Sequence, residues 1–328
     1  MLLTIPATYP EQTVIKYYQT VQSPLFVGLD SAVLLKSTEK YLDTVKPSGI
    51  ILLGNNIENY EQTKKLISDI KKYAQKKGIS IEISIDEEGG LVSRLKNLNG
   101  YPRDFTGISD YNSKTASKQA DYMKQIGINL NLAPVADIAY KNSVMTTRSA
   151  GETSVKVSEV ISSYIDILHA NNIESSVKHF PGLGRTTSDT HFSQTTVGIN
   201  YRQWLVTDSI PFKTAVDNGT DYVMTGHVIY NQIDSLPASI SPKWTEILRN
   251  ELHFEGRIIT DDLKMVGVGE YGNTYLCNNK KKVSGKDKYA VIIKKALDAG
   301  TNNPLLILNQ QDTINATKDW ILIEKECI

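Results

Sequence analysis

Eight short apolar runs recur along the chain, at residues 25–30, 49–54, 81–85, 128–135, 173–177, 222–225, 257–260 and 304–308. Most are dense in Ile, Val and Leu, the pattern of strands buried on both faces in a parallel sheet. The run at 173–177 is the weakest, because Glu174, Ser175 and Ser176 interrupt it. Between the runs lie stretches whose apolar residues return every three or four positions. The clearest cover 60–77, 154–170, 201–218, 241–252 and 286–299, and each predicts a helix with one buried face. Strand and helix alternating about eight times predicts a single (β/α)8 TIM barrel, one domain over residues 1–328. The stretch 267–285, with its lysines at 280–282, breaks the rhythm and reads as a flexible surface excursion late in the barrel.

Composition narrows the classes. Of 328 residues, 36 are Lys or Arg and 36 are Asp or Glu, so the formal charge is zero and the basic excess of a nucleic-acid binder is missing. No apolar run approaches the ~20 residues that span a bilayer. The first residues lack a basic start followed by a long apolar segment, so no signal peptide is expected. Cys277 and Cys327 stand far apart, which argues against a disulfide scaffold or a cysteine zinc site and suits a reducing cytoplasm. The expectation is a cytoplasmic monomer that binds neither membrane nor nucleic acid.

The chemistry collects at the predicted strand ends, where barrels of this kind carry their active sites. Asp86 follows the third strand, Asp137 the fourth, Lys178 and His179 the fifth, His227 the sixth, and Asp261 and Asp262 the seventh. Singly, each could cap a helix or satisfy a loop. Together they predict a site. The run 178–191 adds Pro181, Gly182 and Gly184, then Asp189-Thr190-His191, in which Asp189 can hold one imidazole nitrogen and leave the other free to move a proton. Asp261 is expected to face the mouth, and Asp262 to cap the turn Leu263-Lys264-Met265. A divalent-metal site from His179, His191, His227, Asp86 and Asp261 is disfavoured, since no His-x-His or His-Glu-x-x-His spacing supports it. Gly89-Gly90 and Gly182-x-Gly184 match no phosphate-binding fingerprint and read as tight turns.

Six motifs then coincide: 86–94 (Asp-Glu-Glu-Gly-Gly-Leu-Val-Ser-Arg), 131–137, 178–182, 189–191, 237–241 and 260–265. In order and spacing they resemble the β-N-acetylglucosaminidases of glycoside hydrolase family three, from about residue 25 to 308. The resemblance implies a retaining hydrolase of terminal, non-reducing β-linked N-acetylglucosamine. Asp261 would be the nucleophile, His191 the general acid and then base, and Asp189 its orienting partner. Asp86, Arg94, Arg148, Lys178 and His179 would bind the sugar, with no metal and no cofactor. The chain departs from the family at Leu183, often His, and at Arg185, often Asp. Asn302-Asn303 replaces a more usual Asp, and the short remainder after Leu308 suggests a truncated or atypical final helix.

The first reading is a cytoplasmic hexosaminidase acting on muropeptide-type disaccharides in peptidoglycan recycling. The alternatives are a phosphorylase, in which phosphate takes the sugar, and a sugar-binding protein that has lost catalysis.

Overall fold

The computed structural model describes residues 22–102, 111–277 and 281–327. The N-terminal stretch read for a leader lies outside them, as does Lys280 of the lysine cluster. Eight strands, each on a predicted apolar run, form one parallel sheet. They are β1 (Phe26–Val27), β2 (Gly49–Leu52), β3 (Glu82–Ile85), β4 (Leu130–Asn131), β5 (Glu174–Phe180), β6 (Tyr222–Thr225), β7 (Arg257–Thr260) and β8 (Leu305–Leu306). Each pairs with its neighbour in chain order, and β1 pairs with both β2 and β8. The remaining seam, between β7 and β8, is bridged at Ile259 and Asn303, so the sheet closes into a barrel. Phe26, Ile51, Leu130, Tyr222, Met224, Ile259 and Leu305, from six of the eight strands, fill its centre.

A helix follows every strand. They are α1 (Lys36–Val45), α2 (Tyr60–Lys76), α3 (Ser113–Ile126), α4 (Ser154–Ala170), α5 (Ser209–Asp217), α6 (Pro242–Asn250), α7 (Lys288–Asp298) and α8 (Gln310–Glu326). Local sequence sets where they begin. Asn59, Asn112, Thr153, Ser241, Asp287 and Asn309 each accept a hydrogen bond from a backbone N–H of the first turn. Pro242 fills the first position of α6, where a missing N–H costs nothing.

Several expectations need correction. The 173–177 run was the weakest by composition, yet β5 is the longest barrel strand, at seven residues. Its serines are small enough to bury, and Ser175 is held by Asp221, which accepts from the Ser175 amide at 2.8 Å. The helix expected over 201–218 is split into Tyr201–Leu205 and α5. Pro211 has no N–H to offer the Thr207 carbonyl one turn back, so the ladder breaks there. The final helix is not truncated: α8 runs for 17 residues and packs between α1 and α7.

The cysteine reading also fails. Cys277 and Cys327 are joined in a disulfide, with their Cα atoms 5.1 Å apart. The barrel brings the loop after β7 back beside α8, so distance along the chain was a poor guide to distance in space. The stretch 267–285 is accordingly built rather than loose. It contains two short helical turns and an antiparallel ribbon pairing Tyr275–Leu276 with Lys282–Val283, and the disulfide fastens it to the last helix.

Because the bridge spans 50 residues, its loss is expected to lower the unfolding free energy by about 2–4 kcal/mol. Thermal melts with and without reductant measure this, with Cys277→Ser/Cys327→Ser as the matched control. Two titratable thiols in unreduced, denatured protein would contradict the pairing.

Candidate active site

At the C-terminal mouth of the barrel, β3 and β5 deliver the two halves of a buried charge cluster. β3 ends at Ile85, and Asp86, Glu87 and Glu88 follow in a tight hairpin that pairs Glu87–Gly89 with Val92–Ser93. β5 carries Lys178 and His179 in its last turn of chain. The Lys178 ammonium donates to Asp86 Oδ1 at 2.7 Å and lies 2.7 Å from Glu88 Oε1. Arg148, from the loop before α4, donates to both oxygens of Glu88, at 2.9 and 2.7 Å. Burial alone would raise the Glu88 carboxyl, but Lys178 and Arg148 outweigh it and hold it far below its ordinary value. The same two carboxylates keep the Lys178 ammonium protonated against its own burial. Arg94 lies 3.6 Å from the second Asp86 oxygen.

His179 is oriented from behind. Its Nδ1 lies 2.6 Å from Asp137 Oδ2, and its Nε2 is 3.3 Å from the Arg148 guanidinium. The other Asp137 oxygen accepts from the Leu183 amide at 2.5 Å, so one carboxylate fixes both the ring and the loop that leaves β5.

Opposite these, at the end of β7, stands Asp261. Burial would raise its carboxyl. The neighbouring His179 and His227 and the Asp262 amide reverse that and keep it below its ordinary value, hence ionised. His227 is fully buried, with Nδ1 2.7 Å from Ser239 Oγ and Nε2 2.9 Å from the Asp262 carbonyl. Both its ring nitrogens are therefore occupied in fixing the β7 loop. Asp262 accepts from the Lys264 amide, the expected turn cap, and also from Ile307 beyond β8, each at 3.0 Å. Burial pushes its carboxyl up to about 6.

The loop from β5 carries the remaining pair. Asp189 Oδ1 lies 2.7 Å from His191 Nδ1 and accepts from the His191 amide at 2.8 Å. Partial burial would raise the Asp189 carboxyl, but these two hydrogen bonds hold it below its ordinary value. The His191 ring is half exposed, in contrast to the buried cluster below it. Gly184 shapes the path of the loop: a Cβ there would sit 1.8 Å from the Ile138 carbonyl oxygen. The two departures at 183 and 185 are absorbed. Leu183 is buried, and Arg185 lies over the Tyr140 ring and donates to Asp208 at 2.8 Å.

The sequence-based set thus falls into three groups. Asp86, Arg94, Arg148, Lys178 and His179 form one connected cluster. Asp261 lies within electrostatic reach of Lys178 and His179. Asp189 and His191 form a separate pair on the overlying loop. Two contributors were passed over, Glu88 and Asp137. Glu88 stands inside the 86–94 motif, and its signal was a third consecutive acid with two cations elsewhere at strand ends. Asp137 was noticed at its strand end without a partner. Among the described residues no group of three or more His, Cys, Asp or Glu is arranged to hold a metal ion.

A closed parallel barrel with ionised carboxylates, clustered cations and an Asp–His pair at its C-terminal mouth defines a barrel enzyme. Residues 28–323 match the glycosyl hydrolase family 3 N-terminal domain, and the chain belongs to that family of glycoside hydrolases. A β-hexosaminidase of Haemophilus influenzae is 29% identical over 317 residues, 93% of this chain and 85% of the relative. One from Actinobacillus pleuropneumoniae serotype 3 is 30% identical over 264 residues, 76% of this chain and 75% of the relative. Among solved structures, a family 3 β-N-acetylglucosaminidase from Paenibacillus superposes with a TM-score of 0.79 at 25% identity, covering 93% of this chain and 57% of that one. NagZ from Neisseria gonorrhoeae shares the fold, with a TM-score of 0.75 at 24% identity, 93% of this chain and 90% of that one.

Beside the site, Glu87 is buried with its Oε2 accepting from the Arg94 and Leu95 amides, and burial pushes its carboxyl up to about 7 from 4.5. The folded state therefore keeps a proton that the unfolded chain has lost. Stability from that proton is full below about pH 4.5 and is lost as pH rises through 7. Glu87→Gln, which keeps an acceptor for both amides, is expected to flatten the decline in unfolding free energy across this window. An unchanged slope in urea titrations would contradict it.

Proposed function

We propose that this chain is a retaining β-N-acetylglucosaminidase that removes terminal, non-reducing β-linked N-acetylglucosamine, with the whole reaction carried by one barrel domain. The observation that carries the reading is the pairing of two differently kept groups at one mouth. A carboxylate, Asp261, is held ionised in the wall. An imidazole, His191, is half exposed on the loop that leaves β5, with one nitrogen taken by Asp189.

In the first half-reaction, an Asp261 oxygen attacks the anomeric carbon as the glycosidic C–O bond breaks. His191 Nε2 gives its proton to the departing oxygen. In the second, a water loses a proton to the same nitrogen and attacks the anomeric carbon, releasing Asp261. Two inversions leave the β-configuration intact. Asp189, accepting at Nδ1, fixes the tautomer and stabilises the imidazolium. Most retaining glycosidases use a second carboxyl as the acid. An imidazole can both give and take a proton, so one group on an exposed loop can serve both half-reactions. Lys178 has three donors and spends two on Asp86 and Glu88, leaving one for a sugar hydroxyl. Asp86 and Arg94 line the same side, and Arg148 and His179 complete the ring of hydrogen-bonding groups.

Wall-derived disaccharides that end in N-acetylglucosamine, of the muropeptide type met in peptidoglycan recycling, are the proposed natural substrates. The Cys277–Cys327 bond is a feature of oxidising compartments and stands against the reducing cytoplasm expected from the sequence. Among the described residues no helix is long and apolar enough to cross a membrane.

The deciding assay compares aryl β-N-acetylglucosaminide with aryl β-glucoside and β-xyloside at several phosphate concentrations. N-acetylglucosamine released first as the β-anomer is expected, by NMR. Sugar 1-phosphate as the main product would overturn hydrolysis, and the α-anomer would overturn retention. Asp261→Ala is expected to abolish turnover, and His191→Ala to slow it by roughly 10²–10⁴. Near-normal activity in the Asp261 variant would remove its assigned role.

A further inference from the structure

The Asp189–His191 pair is exposed, but the residue between its members is not. Thr190 is 1% exposed, and its carbonyl accepts from the Gly267 amide at 3.0 Å. Gly267 lies in the short helix Val266–Gly269 that follows the nucleophile loop. A Cβ placed on it would stand 2.9 Å from His227 Cβ, and 3.3 Å from both Cβ and the carbonyl oxygen of Thr190. The wall behind cannot give way. His227 is pinned through one ring nitrogen to Ser239 and through the other to the Asp262 carbonyl, next to Asp261. The loop is tied to the barrel on either side of this contact. The Val144 amide donates to the Thr186 carbonyl, and Thr195–Val197 pairs with Val228–Tyr230. Between those anchors, Thr190 resting on Gly267 sets how far the His191 ring stands from the mouth.

We propose that Gly267 is a positioning residue for the proton-transfer pair. Its bare α-carbon is the seat on which Thr190 rests, and that seat sets the height of His191 above Asp261. This rests on the assignment of His191 as acid and base. A methyl group at 267 has no room on the His227 side, so it displaces Thr190 outward and carries His191 with it. A displacement of about an ångström at a proton-transfer group costs up to roughly a hundredfold in rate. The loss falls on whatever step needs that proton.

Leaving groups separate this from general damage. A 2,4-dinitrophenyl β-N-acetylglucosaminide departs without protonation, whereas the methyl glycoside does not. Gly267→Ala is expected to lower kcat/KM on the methyl glycoside by roughly ten- to a hundredfold, and on the dinitrophenyl glycoside by less than about threefold. His191→Ala serves as the reference and is expected to show the same selectivity, more strongly. Thr190→Gly, which leaves the barrel wall untouched and unseats the loop, is expected to reproduce the pattern even where Gly267→Ala does not fold. Equal losses on both substrates, or none on either, in a folded Gly267 or Thr190 variant would overturn the seat. Absence of the selectivity in His191→Ala would instead overturn the assignment of the acid.

Discussion

One buried carboxylate, Glu88, organises the mouth. It is 3% exposed and meets two cations, Arg148 by a two-pronged contact and Lys178 by a single one. Removing one partner from such a cluster leaves a charge stranded without water, typically at 3–5 kcal/mol. The three groups therefore hold one another in place. Their positions fix everything nearby: Lys178 presents Asp86, Arg148 backs His179, and His179 contributes to the field that keeps Asp261 ionised. The cluster is a buried, mutually paired framework at the polar mouth of the barrel.

The other half of the site obeys a different logic. Asp189 and His191 are set on a loop, Asp189 partly buried and His191 half exposed, with a 2.7 Å hydrogen bond between them. Under the proposed mechanism, a group that protonates a departing oxygen and then activates water would meet solvent between steps. The division is thus between a buried, charge-paired wall and a more exposed loop that carries the Asp189–His191 pair. The loop gains its accuracy from contact with the wall at Thr190, not from burial of its own titratable groups.

The barrel itself was legible because both-faces-buried strands leave continuous apolar runs, and all eight runs became strands. Helices were legible only where the buried face is strongly apolar. α3 buries Thr115 and Gln119 beside Ala116, Ala120, Met123 and Ile126, so polar side chains interrupt its apolar stripe. The break at Pro211 and the strength of β5 depended on side chain–backbone contacts that periodicity does not report. In the site, residue types at strand ends marked the mouth, and the motifs gave the members. The roles of Glu88 and Asp137 were hidden, because they act on other side chains from elements distant in sequence. The disulfide was missed for the same reason: fifty residues of chain fold back through two strands and two helices.

The pairing of the first strand with the last has a consequence for how the molecule comes into being. β1 pairs on one side with β2 and on the other with β8, through Phe26 with Leu305 and Val27 with Leu306. While the chain is still emerging from the ribosome, β1 has an open edge and Phe26 lacks the last wall of its enclosure. Such an edge is a template for stray pairing with other chains. Only when β8 has left the tunnel does the ring have both ends to join, so nascent chains and truncations that lack β8 are the forms most exposed to aggregation.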